Sequence, residues 1–85
     1  MSYEYKTERE QLRTDSGMQM LLQVRDNVKR LLDTAGAFQA DKAWKGVTGS
    51  SWTMLACLDY LVEIGEIVEL PRQAWAQHRV FVSKP

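Results

Sequence analysis

Residues 18–35 have apolar side chains at helical spacing. Apolar positions recur every three or four residues with polar residues between them, a pattern typical of a helix that buries one face. These positions are Leu21, Val24, Val28, Leu31, Leu32 and Ala35. Asp15 or Ser16 can cap the first N–H groups of this helix, and Gly36 can end it. We therefore predict one long scaffold helix here.

A second apolar stretch with helical spacing begins near Ser50 and ends at Gly65. Its recurring apolar positions are Met54, Leu58, Leu61 and Val62. The hydroxyl of Ser50 or Ser51 can accept from the first N–H groups of a helix. Gly65 tolerates the positive φ with which many helices end. The pattern therefore predicts a helix that stops at this glycine.

Two short strands are predicted after Gly65. Residues 66–70 are rich in β-branched side chains, and Pro71 ends the run because it cannot donate a hydrogen bond to a strand ladder. Residues 79–83 alternate polar and apolar side chains, which is typical of a second strand. The pattern predicts a helix that leads directly into a two-stranded antiparallel hairpin.

The segment between the two long helices contains a predicted short helix and a turn. Residues 37–45 are expected to contain a short second helix, with Phe38 and Trp44 as its core contacts. Residues 46–49 read Gly-Val-Thr-Gly, and two glycines permit a tight reversal with Val47 packed beneath it. A helix-turn-helix needs such a turn to fix the angle between its two helices.

Residues 1–17 are polar, and two interpretations of them stay open. Thr7 and Glu10 have the spacing of a capping box, so a short helix can begin here. Leu12 is the one apolar anchor that would follow it, which favours a frayed polar arm over a packed helix. The alternative is an arm that serves dimerisation or contacts DNA.

The step from helix to hairpin resembles the second half of a winged helix-turn-helix domain. The residues that carry the resemblance are Leu61, Gly65 and Ile67, with Leu58 one turn earlier. The resemblance covers residues 18–85 and implies an α+β fold, with a three-helix core followed by a two-stranded antiparallel β-hairpin wing. It also implies duplex DNA binding by a transcriptional or replication-associated regulator. A minority of the family are protein–protein interaction modules, which gives a second hypothesis.

Composition narrows the class of protein. Eighty-five residues with 45% hydrophobic side chains suffice for one folded domain. There is no apolar run of the roughly 18 residues that a membrane span requires, and the N-terminus does not resemble a signal peptide. The single cysteine, Cys57, excludes an internal disulfide and fits a reducing compartment, so we expect a cytoplasmic protein.

The formal net charge of zero argues weakly against strong electrostatic binding of nucleic acid, but the charges are unevenly distributed. Residues 59–70 hold four acids and no base, whereas residues 71–85 hold three bases and no acid. This polarity suits docking of one end of the domain onto phosphates. Scattered, solvated charge is the alternative interpretation.

The resemblance assigns candidate DNA contacts to the third helix and the wing. The expected phosphate contacts are Lys42, Lys45, Arg72 and Arg79. The expected groove and positioning contacts are Thr48, Ser50, Ser51, Trp52 and Thr53, assisted by Gln73 and Gln77 from the wing. One domain touches few base pairs, so a homodimer is also expected.

The predicted reading face of the third helix is poor in base-reading side chains. If Met54, Leu58 and Leu61 face inward, the outward positions at the front of the helix are Ser51, Trp52, Leu55, Ala56 and Asp59. None of these is the Arg, Lys, Asn or Gln that usually reads base edges. Exposure of Trp52 and Trp75 together would instead favour a protein partner, because aromatic residues are enriched at interface centres.

The chain lacks the residue patterns of an enzyme. One histidine and one cysteine cannot supply a metal site of the usual type, and there is no glycine-rich phosphate loop. Cys57 is expected to be a buried, unreactive thiol, and His78 a structural strand residue. Asp59 and Glu63 are expected to be two solvated acids on an outer helix face. We therefore predict a non-enzyme with no cofactor, no metal and no small-molecule substrate.

Overall fold

Four α-helices and three strands make up the part of the chain that the computed structural model describes, residues 3–71 and 79–84. The helices are α1 (Tyr5–Glu8), α2 (Asp15–Ala35), α3 (Ala40–Ala43) and α4 (Ser51–Glu63), with a 3-10 helix over Arg9–Arg13 between α1 and α2. The strands are β1 (Ala37–Gln39), β2 (Ile67–Glu69) and β3 (Val80–Ser83). They form an antiparallel sheet in the order β1-β3-β2. The predicted α+β class is confirmed.

The long scaffold helix, α2, starts three residues before the predicted position. Its cap is Thr14, whose hydroxyl accepts a hydrogen bond from the Gly17 N–H at 3.0 Å, and not Asp15 or Ser16. A side chain at position 17 would collide with the chain that precedes the helix, because a Cβ there would lie 1.8 Å from the Gln11 carbonyl oxygen. Gly36 ends α2 with φ 77°, as predicted.

Both predicted ends of α4 are confirmed. The Ser50 hydroxyl accepts a hydrogen bond from the Trp52 N–H at 3.2 Å, which satisfies one of the unpaired donors at the helix N-terminus. The helix ends at Glu63, and Gly65, with φ 81°, turns the chain into β2. Residues 53–58 are all buried. A helix that is buried on every side lies at the centre of a fold rather than on its surface.

The predicted short helix within residues 37–45 is confirmed as α3, but the three residues before it form β1, a strand that the sequence pattern did not predict. Phe38 lies opposite Phe81 in the register of β1 and β3, and their rings stack with centroids 5.4 Å apart. This buried cross-strand pair stabilises the strand. The predicted two-stranded hairpin is therefore part of a three-stranded sheet. Phe38 is in the core as expected, and Trp44 is half-buried against it.

The predicted antiparallel pairing after Gly65 is confirmed, with Val68 opposite Val82. Side chains alternate between the two faces of the sheet. Ile67 and Phe81 lie on the face that packs on the helices and are buried. Val68 and Val82 lie on the opposite face, which no helix in the described residues covers completely.

Residues 3–17 belong to the packed fold, which corrects the frayed arm that their polar sequence favoured. Leu12 is only 5% exposed and joins the hydrophobic core. The Tyr3 hydroxyl donates to Asp59 Oδ2 at 2.6 Å, and Arg9 pairs with Glu63 at 3.3 Å. Both contacts bind the N-terminal segment to α4. The first helical turn begins at Tyr5, before the predicted capping box, and Glu4 precedes it without a side-chain cap.

Candidate nucleic-acid interface

The outer face of α4, which the resemblance assigns to base reading, is mostly covered. Leu55 is 5% exposed and Ala56 is fully buried, so the prediction that both face outward is wrong. Thr53 is also buried. The N-terminal segment bonds to Asp59 and Glu63 on this helix, which explains part of the cover. Ser51 remains exposed and Trp52 half-buried, both at the N-terminal end.

Arg79, predicted to contact phosphate, is instead a buried structural side chain that is 4% exposed. Its Nε and Nη2 donate to the two carboxylate oxygens of Glu69 at 2.8 and 2.7 Å, and Nη2 also lies 2.5 Å from Asp59 Oδ1. Its guanidinium carbon lies 5.2 Å from the centre of the Phe81 ring. Two carboxylates neutralise this charge, so a DNA phosphate has no exposed cation here.

The protonation of this cluster follows from its contacts. Burial acts to lower the pKa of Arg79, but the hydrogen bonds to Glu69 and Asp59 outweigh it and raise the pKa above its ordinary value. Burial, followed by the hydrogen bond to Asp59, raises the pKa of Tyr3. Asp59 therefore accepts from both Tyr3 and Arg79, which corrects its interpretation as a solvated acid. Glu63 is exposed, as expected, and pairs with Arg9.

Lys42 and Lys45 are exposed, as predicted, and lie on a concave surface between α2 and α3. The cavity has a volume of about 530 Å³, and its lining residues, hereafter the basic cavity, are Asn27, Arg30, Leu31, Thr34, Lys42 and Lys45. No carboxylate belongs to this lining. Within residues 3–71 and 79–84, none of its three cations forms an ion pair. A phosphate can approach these exposed positive charges.

Three of the predicted hydroxyl contacts, Thr48, Ser50 and Thr53, line a second concavity of about 370 Å³ beside the N-terminal half of α2. We call this concavity the polar groove. Its other lining residues are Gln11, Thr14, Ser16, Gly17, Gln19, Met20, Gln23 and Gly49. A shallower depression contacts both regions, since Gln23 also lines the polar groove and Arg30 and Lys45 also line the basic cavity. The hydroxyl and lysine candidates thus share one continuous surface along α2.

Sequence reasoning missed two members of this surface, Arg30 and Asn27. Asn27 stands three residues after Val24, in the apolar stripe of α2, and is buried. A polar residue at an inward position signals a buried hydrogen bond, so the stripe held a clue. Arg30 carried no comparable signal, because one arginine on a helix is usually a solvated side chain.

The remaining candidate DNA contacts, Arg72, Gln73 and Gln77, lie outside the described residues, as do Trp75 and His78.

Cys57 is fully buried, as predicted, and burial raises the pKa of its thiol to about 12. A thiol that stays protonated at neutral pH is a poor nucleophile.

Two further properties of the described residues bear on chemistry. No group of three His, Cys, Asp or Glu side chains there has a geometry suited to a metal ion. None of the helices in that part of the chain is both long enough and apolar enough to cross a bilayer.

Comparison of the chain with protein-family models, curated proteins and solved structures finds no match.

Proposed function

We propose that this chain is a winged-helix domain that binds duplex DNA through the sugar-phosphate backbone, as a small transcriptional or replication-associated regulator. Its fold supports this proposal, because α4 turns at Gly65 into an antiparallel pair of strands, β2 and β3. β1 adds a third strand on the other side of β3. A homodimer is part of the proposal, since one such domain contacts few base pairs.

The observation that carries the proposal is the position of Lys42 and Lys45. Both are exposed beside the turn that leads to α4, and neither is paired with a described carboxylate. Thr48 and Ser50, whose hydroxyls can donate to phosphate oxygens, follow along the same surface. A chain with zero net charge can bind DNA when its unpaired cations are gathered in one place.

Backbone contact is favoured over base reading because α4 offers little to a groove. Leu55 and Ala56 are buried, and Ser51 and Trp52 are the candidates that remain accessible at its front. Arg79, one of the predicted phosphate contacts, is paired with two acids. We therefore expect affinity that depends strongly on salt and weakly on base sequence.

A salt titration of duplex binding tests this proposal. The double variant Lys42→Gln/Lys45→Gln should reduce the slope of log K against log salt by about 1.8, since each phosphate contact contributes about 0.9. The matched control is Lys6→Gln/Lys84→Gln, which removes the same charge from exposed positions elsewhere. Equal slopes for the two double variants, or no duplex binding by the wild type at low salt, would rule the proposal out.

A protein-interaction module is the second candidate, and the outer face of the sheet favours it. Val68 and Leu70 are 38% and 40% exposed, and Val80, Val82 and Ala37 lie partly exposed on the same face. Exposed apolar surface of this kind is enriched at protein interfaces. This candidate predicts that Val68→Ser lowers partner or self-association while leaving duplex binding unchanged, as sedimentation and the same titration would show.

A further inference from the structure

Asn27 is a buried side chain that connects three parts of the basic cavity. It is 8% exposed, and its Nδ2 donates to the Ala43 carbonyl at 2.9 Å and to the Lys45 carbonyl at 3.1 Å. Its Oδ1 accepts a hydrogen bond from Arg30 Nη2. Both donor hydrogens and the acceptor oxygen of the amide are therefore used, which offsets the cost of burying it.

These bonds hold the Arg30 guanidinium and the Lys45 backbone, which belong to different segments, on one rim. α3 has only four residues, too few for a helix to be stable without tertiary contacts. Asn27 donates to the backbone carbonyl at the end of α3 and to that of Lys45, and it accepts directly from the Arg30 guanidinium. Thr34 donates to the Arg30 carbonyl at 2.8 Å one turn later on α2. The placement of the Arg30 guanidinium and of the Lys45 backbone thus depends on one amide.

Arg30, Lys42 and Lys45 stand around a single cavity that has no carboxylate in its lining. Like charges held close together repel one another, and this repulsion is relieved when an anion binds between them. Asp26 lines the adjoining depression and not the cavity. The charge arrangement suits an anion with several oxygen acceptors, and an arginine can donate two parallel hydrogen bonds to such a group.

We propose that the basic cavity is a phosphate-binding site in which Arg30 contacts a backbone phosphate together with Lys42 and Lys45, and in which Asn27 is the positioning residue. This inference rests on the proposed DNA-binding function and extends the interface from the turn before α4 onto α2. Its ligand is the phosphate group of duplex DNA. Inorganic phosphate has the same chemistry, so the experiment must separate the two sources.

The chain supplies a matched pair of cations for the test. Arg30 and Lys29 are adjacent, exposed residues of α2, but only Arg30 lines the cavity. Arg30→Gln should weaken duplex binding roughly tenfold at 50 mM salt and lower the salt slope by about 0.9, the contribution of one contact. Lys29→Gln removes the same charge and should leave the slope unchanged. Equal losses in the two variants would reduce the effect to net charge and overturn the inference.

This result is separable from the test of the proposed function. If Lys42→Gln/Lys45→Gln lowers the slope while Arg30→Gln behaves as Lys29→Gln does, DNA binding stands and the role of Arg30 falls. An amide NMR titration distinguishes the two phosphate sources. Duplex DNA should shift the signals of residues 43–47 and displace inorganic phosphate from them. Saturation by inorganic phosphate without competition from duplex would assign the cavity to a small anion and overturn the inference.

Asn27→Ala tests the positioning role. Removal of the amide releases the Arg30 guanidinium and also the backbone that positions Lys45, so the salt slope of the folded protein should fall by more than it does in Arg30→Gln. A residue with a merely structural role would lower the unfolding temperature and leave the slope of the folded fraction unchanged. If Asn27→Ala does not fold, the exposed pair Arg30→Gln and Lys29→Gln still decides the site.

Discussion

The two arginines Arg79 and Arg30 lie in opposite environments. Arg79 is buried between Asp59 and Glu69, which satisfy and neutralise its guanidinium. Arg30 lies exposed near two lysines, and a neutral amide holds it. The first arrangement stabilises the sheet against α4 and leaves no charge for a ligand. The second leaves positive charge accessible and adds little to stability, which is the property expected of a binding surface.

The largest expected effect is on stability, at Arg79. Arg79→Ala leaves Asp59 and Glu69 without their cation in a site where their side chains are 18% and 22% exposed. Removing one partner of a buried ion pair costs about 3 kcal/mol or more, because an uncompensated charge stays behind. Urea unfolding should show this loss. Arg30→Ala is the comparison and should cost less, about 1 kcal/mol, because it removes one hydrogen bond to the Asn27 amide and leaves no charge unpaired.

Equal stabilities of Arg79→Ala and Arg30→Ala would contradict the contrast between the two arginines. Arg79→Lys sharpens the test, since lysine keeps the charge but cannot make the two-pronged contact with Glu69. Its stability should fall between those of the wild type and Arg79→Ala.

The next effect concerns the N-terminal segment. Leu12→Ala should destabilise the protein by about 2–3 kcal/mol, the usual cost of a large-to-small change in a core. Leu22→Ala makes the same chemical change at a residue that is 51% exposed and should cost much less. Thermal and urea unfolding of the two variants provide the measurement. If both variants matched the wild type, residues 3–17 would behave as the detached arm that their composition suggested.

A smaller effect tests the burial of α4 through the pH dependence of stability. Burial raises the pKa of Cys57 from 9.0 to about 12, so above pH 9 the unfolded chain releases this proton and the folded chain keeps it. The group therefore contributes full stability below pH 9 and loses it as pH rises toward the folded pKa. Between pH 8 and 10 this thiol should lower the free energy of unfolding by about 1 kcal/mol.

Cys57→Ala is the control for this titration, because it removes the thiol and leaves the tyrosines in place. The difference between wild type and variant, measured by urea unfolding at pH 8 and 10, isolates the contribution of Cys57. A constant difference across that range would show that the thiol titrates equally in the folded and unfolded states.

Local signals in the sequence predicted the elements of this fold well where one residue decided the geometry. Ser50 caps α4, and Gly36 and Gly65 end α2 and α4 with positive φ, as their chemistry requires. The backbone geometry at such positions depends on neighbouring backbone atoms, so the sequence predicts it directly. The same holds for the antiparallel pairing of β2 and β3, which alternation and β-branching predicted.

The errors arose where distant segments decide the outcome. β1 forms because Phe38 meets Phe81, a partner more than forty residues away along the chain. Ala56 is buried although helical spacing relative to Met54 and Leu58 placed it outside. Periodicity gives the relative direction of side chains on a helix but not the number of its faces that other elements cover.

The candidate site divides along the same line. The lysines at 42 and 45 were predictable as exposed cations, because a short polar helix next to a glycine turn is usually solvated. The pairing of Arg79 with Asp59 and Glu69 was not, since it needs α4, β2 and β3 to meet. Asn27 was predictable in one respect and not in another. Its polarity within an apolar stripe was visible, but its partners at Ala43 and Lys45 follow only from the packing of α3 on α2.

The smallest expected effect lies in the basic cavity and reverses the sign seen at Arg79. Lys42 and Lys45 are exposed cations that share a cavity with Arg30, so removing one of them relieves repulsion without leaving a carboxylate unpaired. Lys42→Gln or Lys45→Gln should therefore stabilise the protein by about 0.3 kcal/mol at low salt, the size of other like-charge pairs on surfaces. The gain should vanish near 1 M salt, where screening acts over about 3 Å.

Thermal unfolding at 10 mM and 1 M salt, with Lys6→Gln as the control outside the cavity, provides the measurement. A loss of stability at low salt would mean that these lysines are already neutralised in the folded protein, and the cavity would then have no positive charge to offer a phosphate.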